Sequence, residues 1–342
     1  MPDSSRLRLA TVAAAIVAVI TAGVCLSLTS GMFGMSLKDI AATLLRIDPV
    51  REHDLVVFRF RLPRIVLSLL VGAALGMAGA VIQGITRNGL ADPGILGINA
   101  GAGMAVVLFM LLLQGETTVT GWLSVMLMPL FGLFGGLTAV SLIYWFARHN
   151  GRLDPQRLLL SGIALGSGFG AVTLYVSLKM NPNDFEMAAV WLAGSIYSAN
   201  WKFVAAMLPW LIVVPPVLWL KSRALDLFQL GETGAAGLGV TVERDKNVLL
   251  LCSVGLVGAS VAVSGSIGFV GLIAPHMARR LTGTRHSVIV PVSGLIGAAM
   301  VLFGDYIGKT IFAPAELAAG IVISVIGVPY FVYLLLRARK RT

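Results

Sequence analysis

The chain has 342 residues, of which 57% are apolar and only 12% charged, with a formal net charge of +10 and a mean hydropathy of +0.89. A soluble domain carries about 25% charged residues, so this composition excludes an ordinary water-soluble enzyme or binding module and makes lipid the main solvent. The excess positive charge is not a nucleic-acid footprint, because the basic residues fall in small groups between apolar runs, as positive-inside loops do.

A run of about 20 apolar residues at 1.5 Å each crosses the ~30 Å hydrocarbon core. Arg6 and Arg8 precede the first such run, 9–29. That run is long for a signal peptide and no small-residue cleavage site follows, so it is predicted to stay as the first span. "RLPR" (61–64) sits just outside the second span, 65–86. Its arginine stems suit interfacial anchoring, and its proline also holds two guanidinium groups in a fixed relation that suits carboxylates on a partner. Runs 93–115, 117–147, 158–178 and 203–220 are the next predicted spans. Glycine is abundant in these spans, as in "VGAALGMAGAVIQG" (71–84), "GILGINAGAG" (94–103), "FGLFGGLT" (131–138) and "SGIALGSGFGA" (161–171). Small residues four apart let helix backbones approach closely in lipid. The stretch 187–201 is too brief to cross and reads as a half-helix near the outer face.

The segment 225–246, "LDLFQLGETGAAGLGVTVERDK", is polar and reads as one or two short cytoplasmic helices. Glu232 stands near the start of the helical part, where a negative charge favours the helix dipole. Ala235 and Ala236 offer a small smooth surface, and Gly237 and Gly239 end the turn. Such a helix suits a socket on another protein, and by composition alone an ordinary connecting loop fits equally. The run 247–278 that follows is too long for one ordinary span and tight for two. Parity decides. The termini, with Arg6 and Arg8 at one end and Arg337, Arg339, Lys340 and Arg341 at the other, are both placed in the cytoplasm by the positive-inside rule. Splitting the run near "VSGSIGF" into two short helices, with 286–304 and 317–336 as the last spans, gives ten crossings. The predicted fold is therefore all-α: one polytopic membrane domain over 1–342 with about ten transmembrane helices.

Chemistry of its own is not visible in the chain. No G-x-x-x-x-G-K-[ST] occurs, and "GITRNG" (84–89) lacks the lysine and hydroxyl of a phosphate loop. There is no H-E-x-x-H, no G-x-S-x-G and no paired carboxylate in a span. Cys25 and Cys252 lie in spans as small apolar residues, and His53, His149, His276 and His286 are scattered, so no metal site is expected. Asp305 is the candidate intramembrane carboxylate, at the outer end of its span beside Lys309, where it reads as an interfacial charge with a local partner. An ion-coupled secondary transporter, the rival from another class, would need such a group near the midplane.

Six stretches carry a resemblance: "RLPR", "GAVIQGITRNGLADPGILGINAGAG" (79–103), "RLLLSGIALG" (157–166), "LGETGAAGLGV" (230–240), "GSIGFVGLIAPHMARRLTGTRH" (265–286) and "APAELAAGIVISVIGVPYFVYLLL" (313–336). In this order they resemble the permeases of the iron-siderophore and vitamin B12 importer family, the membrane component of binding-protein-dependent ABC transporters. The resemblance implies the type II ABC importer permease fold, with ten spans, a dimer and a pathway at the two-fold interface. It implies that Gly231, Glu232, Ala235, Ala236 and Gly239 couple to an ATP-binding subunit dimer. Arg61 and Arg64, with Lys309 as a third basic residue, match the positions that dock an extracytoplasmic siderophore-binding protein. Asp154 and Pro155 of "LDPQ" (153–156) fall where relatives can narrow the cytoplasmic end of the pathway, so they are gate candidates. The chain itself is expected to be non-catalytic and to bind no cofactor, ATP and Mg being held by the partner ATPase. The second permease is an identical copy or a paralogue, the remaining surroundings are lipid, and no nucleic acid is involved. The expected location is the bacterial cytoplasmic membrane. A ferric siderophore is the expected cargo, because "KMNPNDFEMAAVWLAGSIYSANW" (179–201) looks most like siderophore permeases. Cobalamin and haem are the alternatives.

Overall fold

The computed structural model describes residues 2–31, 33–47, 50–113, 122–149 and 152–339. Helix α1 (Pro2–Thr29) is followed by the short α2 (Leu37–Leu44). Ser36 caps α2 by accepting from the Asp39 backbone N–H while Asp39 bonds back, a reciprocal box that starts the helix. Helix α3 (Arg51–Asp54), a π-turn (Leu55–Arg61) and α4 (Leu62–Thr86) run on as one rod. A 3-10 turn (Pro93–Leu96) leads to α5 (Ile98–Leu113), then α6 (Trp122–Ala147). Strands β1 (Arg148–His149) and β2 (Arg152–Leu153) pair antiparallel before α7 (Pro155–Ser177). Helices α8 (Pro182–Leu192), α9 (Trp201–Leu220), α10 (Ser222–Phe228) and α11 (Glu232–Gly237) follow. The chain closes with α12 (Val242–Ser264), α13 (Val270–Thr282), α14 (His286–Ile311) and α15 (Ala319–Arg339).

Seven of the described helices are long and apolar enough to cross a membrane, and α5 and α15 carry shorter apolar stretches, Ile98–Leu112 and Ala319–Leu334. The rod Arg51–Thr86 and helix α12 form the centre, each with 78% of its most apolar stretch buried. By the same measure α1 is 6% and α7 17% buried, so both are peripheral. Lipid gives no hydrophobic drive between helices, so the centre must hold by close backbone contact. Gly72 and Gly76 supply it: a Cβ on Gly72 would lie 2.2 Å from the Gly297 carbonyl oxygen, and one on Gly76 2.1 Å from that of Ser293. Both partners are on α14, which runs antiparallel to α4. Gly79 meets Gly271 of α13 in the same way, at 2.0 Å.

Three expectations change. The run 247–278 divides at "VSGSIGF" as expected, but not into two short helices: α12 takes a full 23 residues, and only α13, with 13, is short. At 1.5 Å per residue α13 is ~20 Å long, short of the ~30 Å core. The break falls at Gly265, whose φ of +67° and contact with the Trp191 carbonyl leave no room for a side chain. The predicted span 93–115 begins late, because Asp92 caps the 3-10 turn by accepting from the Gly94 N–H and Gly97 ends it at φ +69°. The expected half-helix at 187–201 is α8 at 182–192, started five residues earlier by the Asn181 cap and Pro182.

Candidate functional site

The end of the molecule expected to face outward gathers the three basic residues expected to meet a partner. Arg61 is buried, and its two Nη groups donate to the carbonyl oxygens of Leu28 and Phe33, bracing the chain between α1 and α2. In this conformation Arg61 offers no guanidinium to a partner. Arg64 donates from Nε to both Asp305 oxygens, at 2.8 and 3.1 Å, and from Nη2 to Asp305 Oδ1 at 2.9 Å and Glu316 Oε2 at 2.8 Å. The Asp305 side chain is 3% exposed, that of Arg64 16% and that of Glu316 33%, so the cluster opens to the outside through Glu316. A buried carboxylate is tolerated here because the guanidinium fork meets both its oxygens. Asp305 was expected to pair with Lys309 next door, but its partner is on α4. Lys309 instead donates to the carbonyl and hydroxyl oxygens of Ser27 at 2.9 and 2.8 Å, pinning α1 to α14.

Between the two ends lies a cavity of about 640 Å³, formed by α5, α7, α8 and the turn before α13. Asn99, Gly103, Thr173, Leu174, Phe185 and Phe269 are among its mostly apolar lining, with Asp92 at one edge. Among the described residues no three His, Cys, Asp or Glu side chains gather where a metal ion could be held.

At the opposite end the polar segment folds as α10 and α11, two short helices. Gly231 precedes α11 at φ +89° and Gly239 follows it at φ +85°, conformations glycine adopts without a steric cost. Ala235 faces inward and is fully buried, so it seats α11 on the permease instead of meeting a partner. Ala236, Gly237, Leu238 and Gly239 face outward, with Leu238 61% exposed. Glu232 accepts a hydrogen bond from Lys246 Nζ at 2.6 Å; its side chain is 37% exposed and that of Lys246 2%. Asp226 of α10 accepts from the backbone N–H of His286 at 2.8 Å and lies 2.7 Å from its Nδ1, capping α14. Lys221 donates to Asp245 at 2.5 Å. Thus α11 is tied to α12 by the Glu232–Lys246 pair and α10 to α14 through Asp226, while Lys221, between α9 and α10, pairs with Asp245 of α12. Asp154 caps α7 by accepting from the N–H groups of Gln156 and Arg157, and Pro155 stands in the first turn.

Sequence reasoning missed Lys246, Asp226, Leu238 and the Arg64–Asp305 pair. Fourteen residues separate Glu232 from Lys246, 60 separate Asp226 from His286 and 241 separate Arg64 from Asp305. None of these is a spacing that a single helix or turn repeats. Leu238 had a signal: a leucine flanked by glycines in a polar stretch is an apolar group with nothing local to cover it.

A family model described as the FecCD transport family matches residues 16–337. An iron-uptake system permease protein, FeuC of Bacillus subtilis (strain 168), is 52% identical over 314 residues, covering 92% of this chain and 94% of that one. An iron(3+)-hydroxamate import system permease protein, FhuG of the same organism, is 48% identical over 287 residues, 84% of this chain and 85% of the relative. A solved structure described as an inward-facing conformation of a metal-chelate type ABC transporter superposes with a TM-score of 0.81 at 28% identity. It covers 94% of this chain and 98% of that one.

Proposed function

Because the chain belongs to the FecCD transport family, we propose that this permease carries a ferric siderophore inward across the cytoplasmic membrane. Its energy comes from a separate ATP-binding subunit dimer, and a siderophore-binding protein delivers the cargo to its outer face. A second permease subunit, identical or paralogous, completes the pathway, and both termini lie in the cytoplasm. The observation that carries the reading is α11: a short helix with an exposed apolar edge at Leu238, fastened to α12 by the Glu232–Lys246 ion pair, while α10 before it is hydrogen-bonded to α14 through Asp226 and His286. A connecting loop has no need of such anchorage, whereas a lever pushed by a partner does. The exposed residues Ala236 and Gly239 and the pivot Gly231 are the proposed contact, with Glu232 and Ala235 holding the helix to the permease.

ATP closure of the motor would displace α11 and switch the pathway between two packings a few kcal/mol apart. The gate proposal for Asp154 and Pro155 fits their position, since together they start α7 beside the cytoplasmic hairpin. At the outer face Arg64 is the docking residue best placed to change partners, because its second carboxylate, Glu316, is one-third exposed. Arg61 and Lys309 would act by holding the same surface together. The cargo assignment is supported by two relatives named for iron and for iron(3+)-hydroxamate import. Iron wrapped in its chelator needs no protein ligands along the way, which suits the apolar cavity lining.

Vesicles holding the permease with its ATPase, supplied with the cognate binding protein, test the whole reading. They should accumulate radiolabelled iron as a ferric hydroxamate or catecholate and ignore labelled cobalamin. Arg64→Gln should cut uptake at least about tenfold at limiting binding protein, and wild-type uptake should weaken as salt rises. Cobalamin uptake above iron uptake would reverse the cargo assignment, and unchanged uptake by Arg64→Gln would remove Arg64 from docking.

A further inference from the structure

A movement of α11 does nothing for transport unless it reaches the pathway, and one turn of helix touches both. The first two turns of α12 carry Glu243, Asp245, Lys246 and Asn247, and each meets a different segment. Lys246 is held by Glu232 of α11. Glu243 Oε2 accepts the backbone N–H of Leu153 at 3.2 Å, the residue before Asp154. Asn247 Oδ1 accepts the Tyr144 hydroxyl at 2.9 Å, and the Tyr144 ring lies under the Arg148 guanidinium, 5.0 Å away. Asp245 pairs with Lys221 at the end of α9. The β1–β2 pair and the start of α7 are thus held from one side by the turn that α11 grips from the other.

We propose that the Glu243–Asn247 turn is a relay: Lys246 takes up the displacement of α11, and Glu243 delivers it to Leu153 and the capped start of α7. The inference rests on the coupling role proposed for α11 and adds the route by which coupling reaches the gate. Its physical basis is the burial of Lys246, whose side chain is 2% exposed. Parting it from Glu232 would leave an ammonium group buried without a counter-charge, so α11 and α12 move together more readily than they separate. Within α12, Glu243 and Lys246 are three residues apart and therefore neighbours on the helix surface, so the displacement passes through less than one turn of hydrogen-bonded backbone. Leu153 is itself buried, which leaves its N–H little access to water if Glu243 withdraws. The hairpin must follow.

The test uses the assembled transporter in lipid nanodiscs. The native Cys25 and Cys252 are replaced by serine, and a reporter thiol is introduced as Gln156→Cys, an exposed position in the first turn of α7. The reporter's labelling rate by a water-soluble maleimide is read with and without ATP, together with ATP hydrolysis in the same sample. Lys246→Met removes the buried charge and leaves Glu232 where water reaches it, so this variant keeps its fold. Glu243→Leu removes the other contact, and Lys246→Arg restores the charge.

ATP should change labelling at least about fivefold in the Lys246 background and in Lys246→Arg, and less than about twofold in Lys246→Met and Glu243→Leu, the span of an ordinary allosteric coupling. A purely structural role would lower the yield of assembled complex and leave the ATP response of the surviving complex intact, and that result would overturn the relay. A response surviving in Lys246→Met alone would overturn the part given to Lys246. A background complex that hydrolyses ATP with no labelling change at all would reject the coupling role of α11, and the relay with it.

Discussion

Lys246 shows what a charge at the membrane edge demands of its neighbours. Its ammonium is buried and its counter-charge, Glu232, sits at the surface, so the two partners are not equivalent. Removing Glu232 strands a charge in a low dielectric; removing Lys246 releases a carboxylate to water. We expect Glu232→Ala to destabilise the purified permease by a few kcal/mol, below the ~3–5 kcal/mol of a fully buried pair because Glu232 is partly solvated. Lys246→Met should cost less than about 1 kcal/mol, since a long apolar side chain refills the site. Thermal unfolding in detergent would show it, and equal losses in the two variants would mean that the pair does not hold Lys246 in place. Replacing Glu232 with Lys sets two cations against each other and is the harshest change at this site. The residue level was the least legible in the sequence. Glu232 announces itself by its place at the start of a helix in an otherwise oily chain. Its partner does not, because the glycine turn after α11 folds the chain back before Lys246 arrives. Asp305 misled for the same reason: its near neighbour Lys309 is turned to Ser27, and its true partner is carried by α4.

Elements were far more legible, since a span is a matter of local composition and length. Each predicted crossing has a helix, and the polar segment at 225–246, read as one or two short helices, holds most of α10, all of α11 and the start of α12. The misses cluster where backbone conformation decides. The glycine- and serine-rich "VSGSIGF" marked where α12 ends, but hydropathy could not show how short α13 would be. Nor could it see that Asp92 and Gly97 hold residues 93–96 out of α5. The glycines themselves were read as tight packing, and at α4 against α14 that is their role. Gly76→Ala should therefore cost about 1–3 kcal/mol or more, because even a methyl group meets the Ser293 carbonyl. Gly168→Ala in α7, where nothing lies within 4 Å, should leave the fold unchanged or gain slightly from helix propensity. Thermal unfolding of both variants separates the cases, and a silent Gly76→Ala would deny that α4 and α14 are in backbone contact.

At the scale of the molecule, a buried centre stands beside edges that the chain itself covers little. The α4–α14 contact and the buried α12 form the centre, while α7 flanks the cavity with most of its surface uncovered in the single chain. Polar ties mark the two ends: the Arg64 cluster at one, the Lys246 and Asp226 ties at the other, beside α11. Between them Asp92 stands at the cavity edge with its Oδ1 capping a turn, so it is engaged in holding backbone. Such a body fits a conduit that is switched from one end and loaded from the other, with the energy supplied by a neighbour. Reconstituting the purified permease in sealed vesicles, alone or with its ATPase and binding protein, and measuring the cargo gradient at steady state addresses this directly. The permease alone should at most equilibrate the cargo, and accumulation should require ATP and both partners. Uphill accumulation by the permease alone, driven by an imposed proton or sodium gradient, would contradict the account.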